Sequence, residues 1–240
     1  MNRTPQEKFI LLFEAAKRSL LAAEMLLQRL AAEVAGLSKD IDRSVDIQDR
    51  AVPPLLSAVA FIDFAHRFGS VIDSLPLISK KAPALRQLRT ALRPVEAARN
   101  HLQHMRGDLS SNANIDYPIL GSLSWAHESS SYTIFLSQPT KADTFSIAYD
   151  IQSQCWAARH QYTVKDATID LDAVLAEMRN MYDWIVQAIT FSDPSFAELK
   201  WGKTQSIGFR IMEIVKAQQG APADPHASDA LGVREAELGR

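Results

Sequence analysis

Apolar residues recur in alternating steps of four and three along the first thirty residues, which is the spacing of a helix with one buried face. The positions on this stripe are Phe9, Phe13, Ala16, Leu20, Ala23, Leu27 and Leu30. Thr4 and Pro5 supply an N-cap and a proline at the first helical position, and Gly36 is a suitable end. The pattern therefore predicts a long amphipathic first helix.

Two further stripes predict a second and a third helix. The second begins near Pro53-Pro54, after a polar connection at 38–50, and the third begins at Ala84. Their inner faces comprise, in order, Leu55, Val59, Ile62, Ala65, Phe68, Ile72 and Leu75, then Leu85, Leu88, Leu92 and Val95. Pro94 has no backbone donor, so the third helix either kinks there or a new helix starts, which would end at Arg106-Gly107.

Between residues 117 and 165 the helical period gives way to short β-type segments. Four of them are rich in β-branched and aromatic residues, alternate in part, and are separated by polar turns. They are GSLSWA (121–126), SYTIFLS (131–137), FSIAYDIQ (145–152) and RHQYTV (159–164). We predict a small antiparallel sheet or a pair of hairpins here, inserted between the third and fourth main helices.

A fourth main helix follows a cap at Thr168-Ile169-Asp170. Its apolar stripe comprises Leu171, Val174, Met178, Met181, Ile185 and Ala188. A shorter helical piece is predicted at 195–217, and the remaining tail lacks an apolar period. Four main helices with one β insertion predict a mainly α protein, and because no linker separates two self-sufficient cores, we predict a single domain. This domain spans 1–217, with the β insertion at about 117–165, and a disordered tail follows at 218–240.

Composition narrows the classes of function. Hydrophobic residues make up 47% and charged residues 22%, which is ordinary for a globular protein, and the formal charge of −2 offers no global basic field for nucleic acid. The single cysteine, Cys155, excludes an internal disulfide and fits a reducing compartment. Charged residues interrupt the apolar N-terminus every few positions, which fits neither a signal peptide nor a membrane span. We therefore predict a cytoplasmic protein without membrane association.

The candidate chemistry is concentrated in RNHLQH, residues 99–104. Arg99 falls at or beside a position of the apolar stripe. An unpaired guanidinium there is costly to desolvate and needs a partner or an anion. His101 and His104, three apart, share a helix face. Arg99 and His104, five apart, are rotated by about 140° and therefore cannot meet on one side of a single helix.

Arg99, Asn100 and His104, on a late helix of a helical framework, resemble the motif of the HEPN superfamily. That motif is an arginine, four to six residues and a histidine, often with asparagine or aspartate after the arginine. The resemblance rests on residues 99–104 and the helices, and the strands of 120–165 lie outside it. It implies a four-helix-bundle core and metal-independent RNA cleavage without a cofactor. It also implies a homodimer in which two copies of the motif converge, with helix 94–106 at or beside the interface.

The resemblance also implies a role for each residue. His104 would act as general base on the ribose 2′-OH or as acid toward the leaving oxygen. Arg99 would stabilise the phosphorane charge, and Asn100 would orient the phosphate or the histidine. The products would be a 2′,3′-cyclic phosphate and a 5′-hydroxyl. A ribonuclease of the toxin or phage-defence kind would have RNA as its substrate and an antitoxin or a nucleotidyltransferase as its partner.

Other interpretations of the motif stay open. RNHLQH is also what a polar helix end looks like, with imidazoles favoured by the helix dipole. HEPN-like domains include non-catalytic binding or dimerisation modules, which is the alternative function. A metal site of His101 and His104 with Glu96 or Asp108 is a third interpretation, although a His-x-x-His pair without a committed third ligand is a weak signal.

A second polar cluster lies in the β region. It comprises Trp125, His127, Glu128, Trp156, Arg159, His160 and Tyr162. Tryptophan and arginine together can stack nucleic-acid bases, but the packed face of a small sheet is the interpretation that the sequence favours. His66, beside the second stripe, is interpreted as a satisfied histidine at the edge of the core.

Overall fold

The computed structural model describes residues 4–42, 48–76, 78–111, 117–135 and 146–192. The four helices of these residues are α1 (Pro5–Asp42), α2 (Gln48–Ser74), α3 (Pro83–Ser111) and α4 (Leu171–Ser192). The chain divides into two compact units, Met1–Ala188 and Ile189–Arg240, and only 189–192 of the second belong to the described residues. The predicted helix at 195–217 and the predicted tail at 218–240 lie outside them.

The described strands lie between α3 and α4. They are β1 (Ser122–His127), β2 (Ser130–Phe135), β3 (Tyr149–Asp150), β4 (Cys155–Trp156), β5 (His160–Val164) and β6 (Ala167–Asp170). Four of them form an antiparallel sheet of order β2-β1-β5-β6, and β3 pairs with β4 in a separate hairpin. The prediction of a mainly helical protein with a small antiparallel insertion is confirmed.

The predicted stripes form most of the core, but Val59 of the second stripe is only half-buried and Ala58 takes the core position beside it. Every residue of the α1 stripe is buried, and its most exposed member, Leu27, keeps only 7% of its surface. α1 and α2 share the largest interface of the fold and run antiparallel, since Ser57 bonds Glu33 while Arg50 pairs with Asp40. Burial of apolar surface along this interface is the main stabilising term.

The fourth helix contacts the first and the third through side chains. The ring of Tyr182 stacks on Phe13 at a centroid distance of 5.1 Å, and Gln87 of α3 donates to Glu177 at 3.2 Å. The apolar stripe predicted for α4 is buried from Leu171 to Ile185. These contacts are compatible with a bundle, but a four-helix-bundle core stays a prediction.

The first helix continues past Gly36 to Asp42, so its predicted end was wrong. The reason is packing, because Leu37 and Ser38 are fully buried. The Ser38 hydroxyl donates to the Val34 carbonyl and accepts the indole N–H of Trp125, which joins α1 to β1. Tertiary contacts override the weak helix propensity of a glycine.

The boundaries of α2 and α3 also differ from the prediction. α2 begins at Gln48 and carries Pro53 and Pro54 inside its first two turns. α3 runs without interruption through Pro94 and past Gly107 to Ser111, so neither a new start nor an end at Arg106-Gly107 occurs. Buried Leu92, Val95 and Ala98 around Pro94 offset the one backbone hydrogen bond that proline removes.

The β insertion is longer than predicted, because Ala167–Asp170 forms the edge strand β6 rather than only a helix cap. The cap itself is confirmed, since Asp170 Oδ1 accepts the Ala173 N–H at 2.9 Å. The strand predicted at 145–152 is reduced to two residues. Residues 136–145, where two predicted segments end or begin, lie outside the described residues.

Among the described helices, α2 is the one that is long and apolar enough to cross a membrane by length and composition. Half of the qualifying window, in Asp49–Ser74, is buried inside the fold. A core helix of a globular protein has the same composition, so burial against α1 and α3 accounts for its apolar character.

Candidate functional site

Arg99 lies on the side of α3 that faces α2. Its Nε is 3.3 Å from Oδ1 of Asp63, while Nε of Arg67 is 2.7 Å from the other oxygen of the same carboxylate. The side chains of Arg99 and Asp63 are 26% and 34% exposed. The guanidinium of Arg99, predicted to lie near the apolar stripe, therefore has a partner in its own chain. The contact uses Nε alone, so the two terminal nitrogens face no carboxylate among the described residues.

His66 belongs to the same side. Burial lowers the pKa of His66 below its usual value, and the nearby Arg99 lowers it further, while Glu96 and Asp63 act in the opposite direction. His66 and Glu96 line a groove of about 330 Å³ between α2 and α3, over the apolar floor of Leu88 and Leu92. The imidazole is at the edge of the core, as the sequence indicated, but it also shares the electrostatic field of Arg99.

Asn100, His101 and His104 lie on another side of α3 and line a second groove, of about 400 Å³. The opposite wall is the turn between β5 and β6, with Lys165 and Asp166 at its tip. The prediction that His101 and His104 share a face is confirmed. Arg99 is not part of this groove, which agrees with the expectation that one helix cannot bring it to His104.

The two histidines of this groove differ in exposure. His101 is only 8% exposed, and its ring contacts Tyr117 edge-on at a centroid distance of 5.5 Å. His104 and Asn100 are exposed, and the side chain of neither forms a hydrogen bond with another described residue. His104 is therefore the imidazole that solvent can reach, while His101 forms part of the wall.

Sequence reasoning missed Lys165 and Asp166. Lys165 has a φ of 51°, a left-handed conformation that costs a residue with a side chain about 1 kcal/mol. The tight turn between Val164 and Ala167 imposes it. The signal is the dipeptide Lys-Asp between β-type residues, which the prediction of a helix cap at Thr168-Ile169-Asp170 did not use.

Among the described side chains, the metal interpretation finds no third ligand. No group of three His, Cys, Asp or Glu side chains placed to hold a metal occurs in the ranges that the structure describes. The backbone at Asp108 is helical, but its side chain is outside the description.

The second polar cluster divides into two groups. Trp125, His160 and Tyr162 are at most 3% exposed, so the packed-face interpretation is right for them. His160 Nδ1 lies 2.9 Å from Asp172 Oδ2, which ties β5 to α4, and burial raises the pKa of Tyr162. The other four members, His127, Glu128, Trp156 and Arg159, line an open groove.

The candidate site is thus two half-sites on different sides of α3. We name Asp63, His66 and Arg99 the arginine half-site, and Asn100, His104 and Lys165 the histidine half-site. In comparisons with known proteins, no family model, no curated sequence and no solved structure matches this chain.

Proposed function

We propose that this protein is a HEPN-like, metal-independent endoribonuclease. Its active centre would form where the arginine half-site of one copy meets the histidine half-site of another. The observation that carries the proposal is the open groove in which exposed His104 and Asn100 lie opposite Lys165. A general acid or base, an amide and a cation in one groove suit a phosphodiester.

The chemistry needs one proton acceptor and one proton donor. His104 takes the proton of the ribose 2′-OH, and the freed oxygen attacks the adjacent phosphorus. The bond from phosphorus to the 5′-oxygen breaks, and the leaving oxygen takes a proton that the Lys165 ammonium supplies from the same groove. The products are a 2′,3′-cyclic phosphate and a 5′-hydroxyl, and the reaction requires no metal.

Arg99 contributes charge stabilisation from the other copy. Asp63 holds the guanidinium through Nε, and no described residue accepts a hydrogen bond from the terminal nitrogens, which would donate to two phosphorane oxygens. Asp63 is therefore a positioning residue. Asn100 orients the phosphate by donating from its side-chain amide.

The proposal requires a homodimer. A two-fold interface repeats each residue, so two copies of the segment 94–106 at or beside the interface would pair each Arg99 with the partner copy's His104 groove. RNA is the proposed substrate. For an enzyme of the toxin or phage-defence kind, an antitoxin or a nucleotidyltransferase is the proposed partner protein.

The second candidate is a non-catalytic HEPN-like binding or dimerisation module. The contact between Arg99 and Asp63 favours it, because a guanidinium with a carboxylate partner in its own chain has no need of an anion. The two candidates differ in one observable, which is whether RNA is cleaved.

The test is cleavage of a labelled single-stranded RNA in EDTA by the full-length protein. We expect activity to persist with the chelator, and we expect His104→Ala and Arg99→Ala each to lose at least about 10²-fold. His101→Ala should lose less, because His101 packs against Tyr117 beside the site. Arg86→Ala, an exposed arginine on the same helix, is the control and should be fully active.

Three results would contradict the proposal. Loss of activity with the chelator would favour the histidine metal site. Full activity of both Arg99→Ala and His104→Ala would mean that the site assignment is wrong. Absence of cleavage by the wild type on structured and unstructured RNA would favour the non-catalytic module.

A further inference from the structure

A third groove, of about 340 Å³, lies where the β1–β2 turn meets β4 and the start of β5. Its lining residues are Ala126, His127, Glu128, Trp156, Ala158 and Arg159. It combines an aromatic ring, a guanidinium and an imidazole with two small residues that leave space between them. None of these residues belongs to either half-site.

The indole of Trp156 is fixed in this groove. Its Nε1–H donates to the carbonyl of Glu128 at 3.4 Å, and its ring meets Tyr149 edge-on at 4.9 Å. Glu128 presents that carbonyl from a turn in which its own φ is 52°. Because the only polar group of the indole is already bonded, what Trp156 offers a ligand is its π surface.

Arg159 supplies the charge. Its backbone carbonyl accepts the Ala126 N–H at 3.0 Å, which fixes the start of β5 beside the end of β1. Its side chain is exposed and forms no ion pair with any described residue. The nearest acid in the groove, Glu128, is 85% exposed and lies 4.0 Å from the His127 ring. As far as the described residues show, the donors of the guanidinium are therefore available to a ligand.

We propose that this groove binds one nucleotide of a single-stranded RNA, with the base stacked on Trp156 and the adjoining phosphate held by Arg159. Stacking needs an exposed base face, which a duplex does not offer. A chain with a formal charge of −2 has no general attraction for nucleic acid, so binding depends on a local pair of this kind. The choice of RNA rests on the proposed function, whereas the stacking site does not.

The test is the binding of fluorescein-labelled U12 RNA, measured by anisotropy at low salt. The full chain carries His104→Ala in every sample, so that the RNA stays intact. We expect Trp156→Ala and Arg159→Ala each to weaken binding about ten-fold, and Trp156→Phe to stay within about two-fold because it keeps an aromatic face. Arg86→Ala removes the same charge from an exposed position outside the groove and should leave binding unchanged.

The pattern of affinities among the variants tests the groove, the base stacking and the choice of RNA separately. Equal affinity of all variants would overturn the groove as a binding site. Weaker binding in Arg159→Ala but not in Trp156→Ala would overturn base stacking and show attraction by charge only. Equal binding of dT12 would overturn the choice of RNA. If the wild type cleaves no RNA but Trp156→Ala still binds weakly relative to Trp156→Phe, the proposed function fails and this inference stands.

Discussion

The two sides of α3 that carry the RNHLQH motif differ in how their charged groups are satisfied. On the α2 side, Arg99 has a carboxylate partner in Asp63, and Arg89 has one in Asp73 at 2.7 Å. On the sheet side, Asn100 and His104 are exposed around a groove. The paired side holds a charge in position, and the open side exposes the groups to which we assign the proposed chemistry. One helix thus carries a paired charge on one side and accessible polar side chains on the other.

The difference arises from what each side packs against. The α2 side meets another helix at close range, since a Cβ on Gly69 would lie 2.5 Å from Cδ1 of Leu92. The sheet side meets the strands β5 and β6 and the turn that joins them, and a groove stays open between this turn and His104. A helix pair excludes solvent and needs paired charges, whereas a turn leaves a groove.

The largest effect on stability should come from Gly69→Ala, which attacks the close approach of α2 and α3. A methyl group at this position must displace the buried Leu92 side chain, and overpacking of this kind costs about 1–3 kcal/mol. Gly36→Ala is the matched control, because a Cβ there meets only Arg50 Nη2 at an ordinary 3.6 Å. Urea unfolding should place Gly69→Ala below Gly36→Ala by at least about 1 kcal/mol. Equal stabilities would show that the α2 side is not tightly packed.

A smaller effect is expected from Asp63→Asn, which removes the carboxylate that holds Arg99. Because both side chains are about a third exposed or less, we expect a loss of about 1 kcal/mol that shrinks in 1 M salt. His104→Ala should change the free energy of unfolding by less than about 0.5 kcal/mol, since His104 is exposed. A double-mutant cycle of Asp63→Asn with Arg99→Met measures the coupling. Zero coupling would mean that Arg99 is not held by Asp63.

The smallest effect is a dependence of stability on pH through His66. Burial and Arg99 lower the pKa of His66 in the folded protein below 6.5, so the folded state favours the neutral ring. The contribution to stability is therefore present above pH 6.5 and is lost as the pH falls through the lowered pKa. The difference in melting temperature between the wild type and His66→Asn should shift in favour of the variant below pH 6.5. A difference that is constant with pH would contradict the shift.

Much of the helical framework could be predicted from the sequence, because burial repeats every three or four residues. The stripes that begin at Phe9 and Leu85 are buried as the period required. The predicted helix ends were less accurate. The extension of α1 past Gly36 depends on a contact between Ser38 and Trp125, which are 87 residues apart. Local signals cannot report such a contact.

The candidate site was predictable only in part. The pattern separated Arg99 from His104 correctly, because helix geometry is local. The partner of Arg99 is Asp63, 36 residues earlier, and the cation opposite His104 is Lys165, on a strand pair that includes the missed β6. These neighbours depend on how α2, α3 and the sheet pack against one another. The spacing of residues along one helix carries no information about that packing.

The most direct test of the central claim is to mix Arg99→Ala with His104→Ala under conditions that exchange subunits. Each variant alone lacks one half of every centre and should be nearly inactive. A mixed dimer pairs the Arg99 of one chain with the His104 of the other, so one of its two centres is complete. With random exchange, RNA cleavage in EDTA should return to about a quarter of the wild-type level. If both variants are inactive alone and the mixture remains so, the two half-sites do not meet across an interface, and the account is wrong.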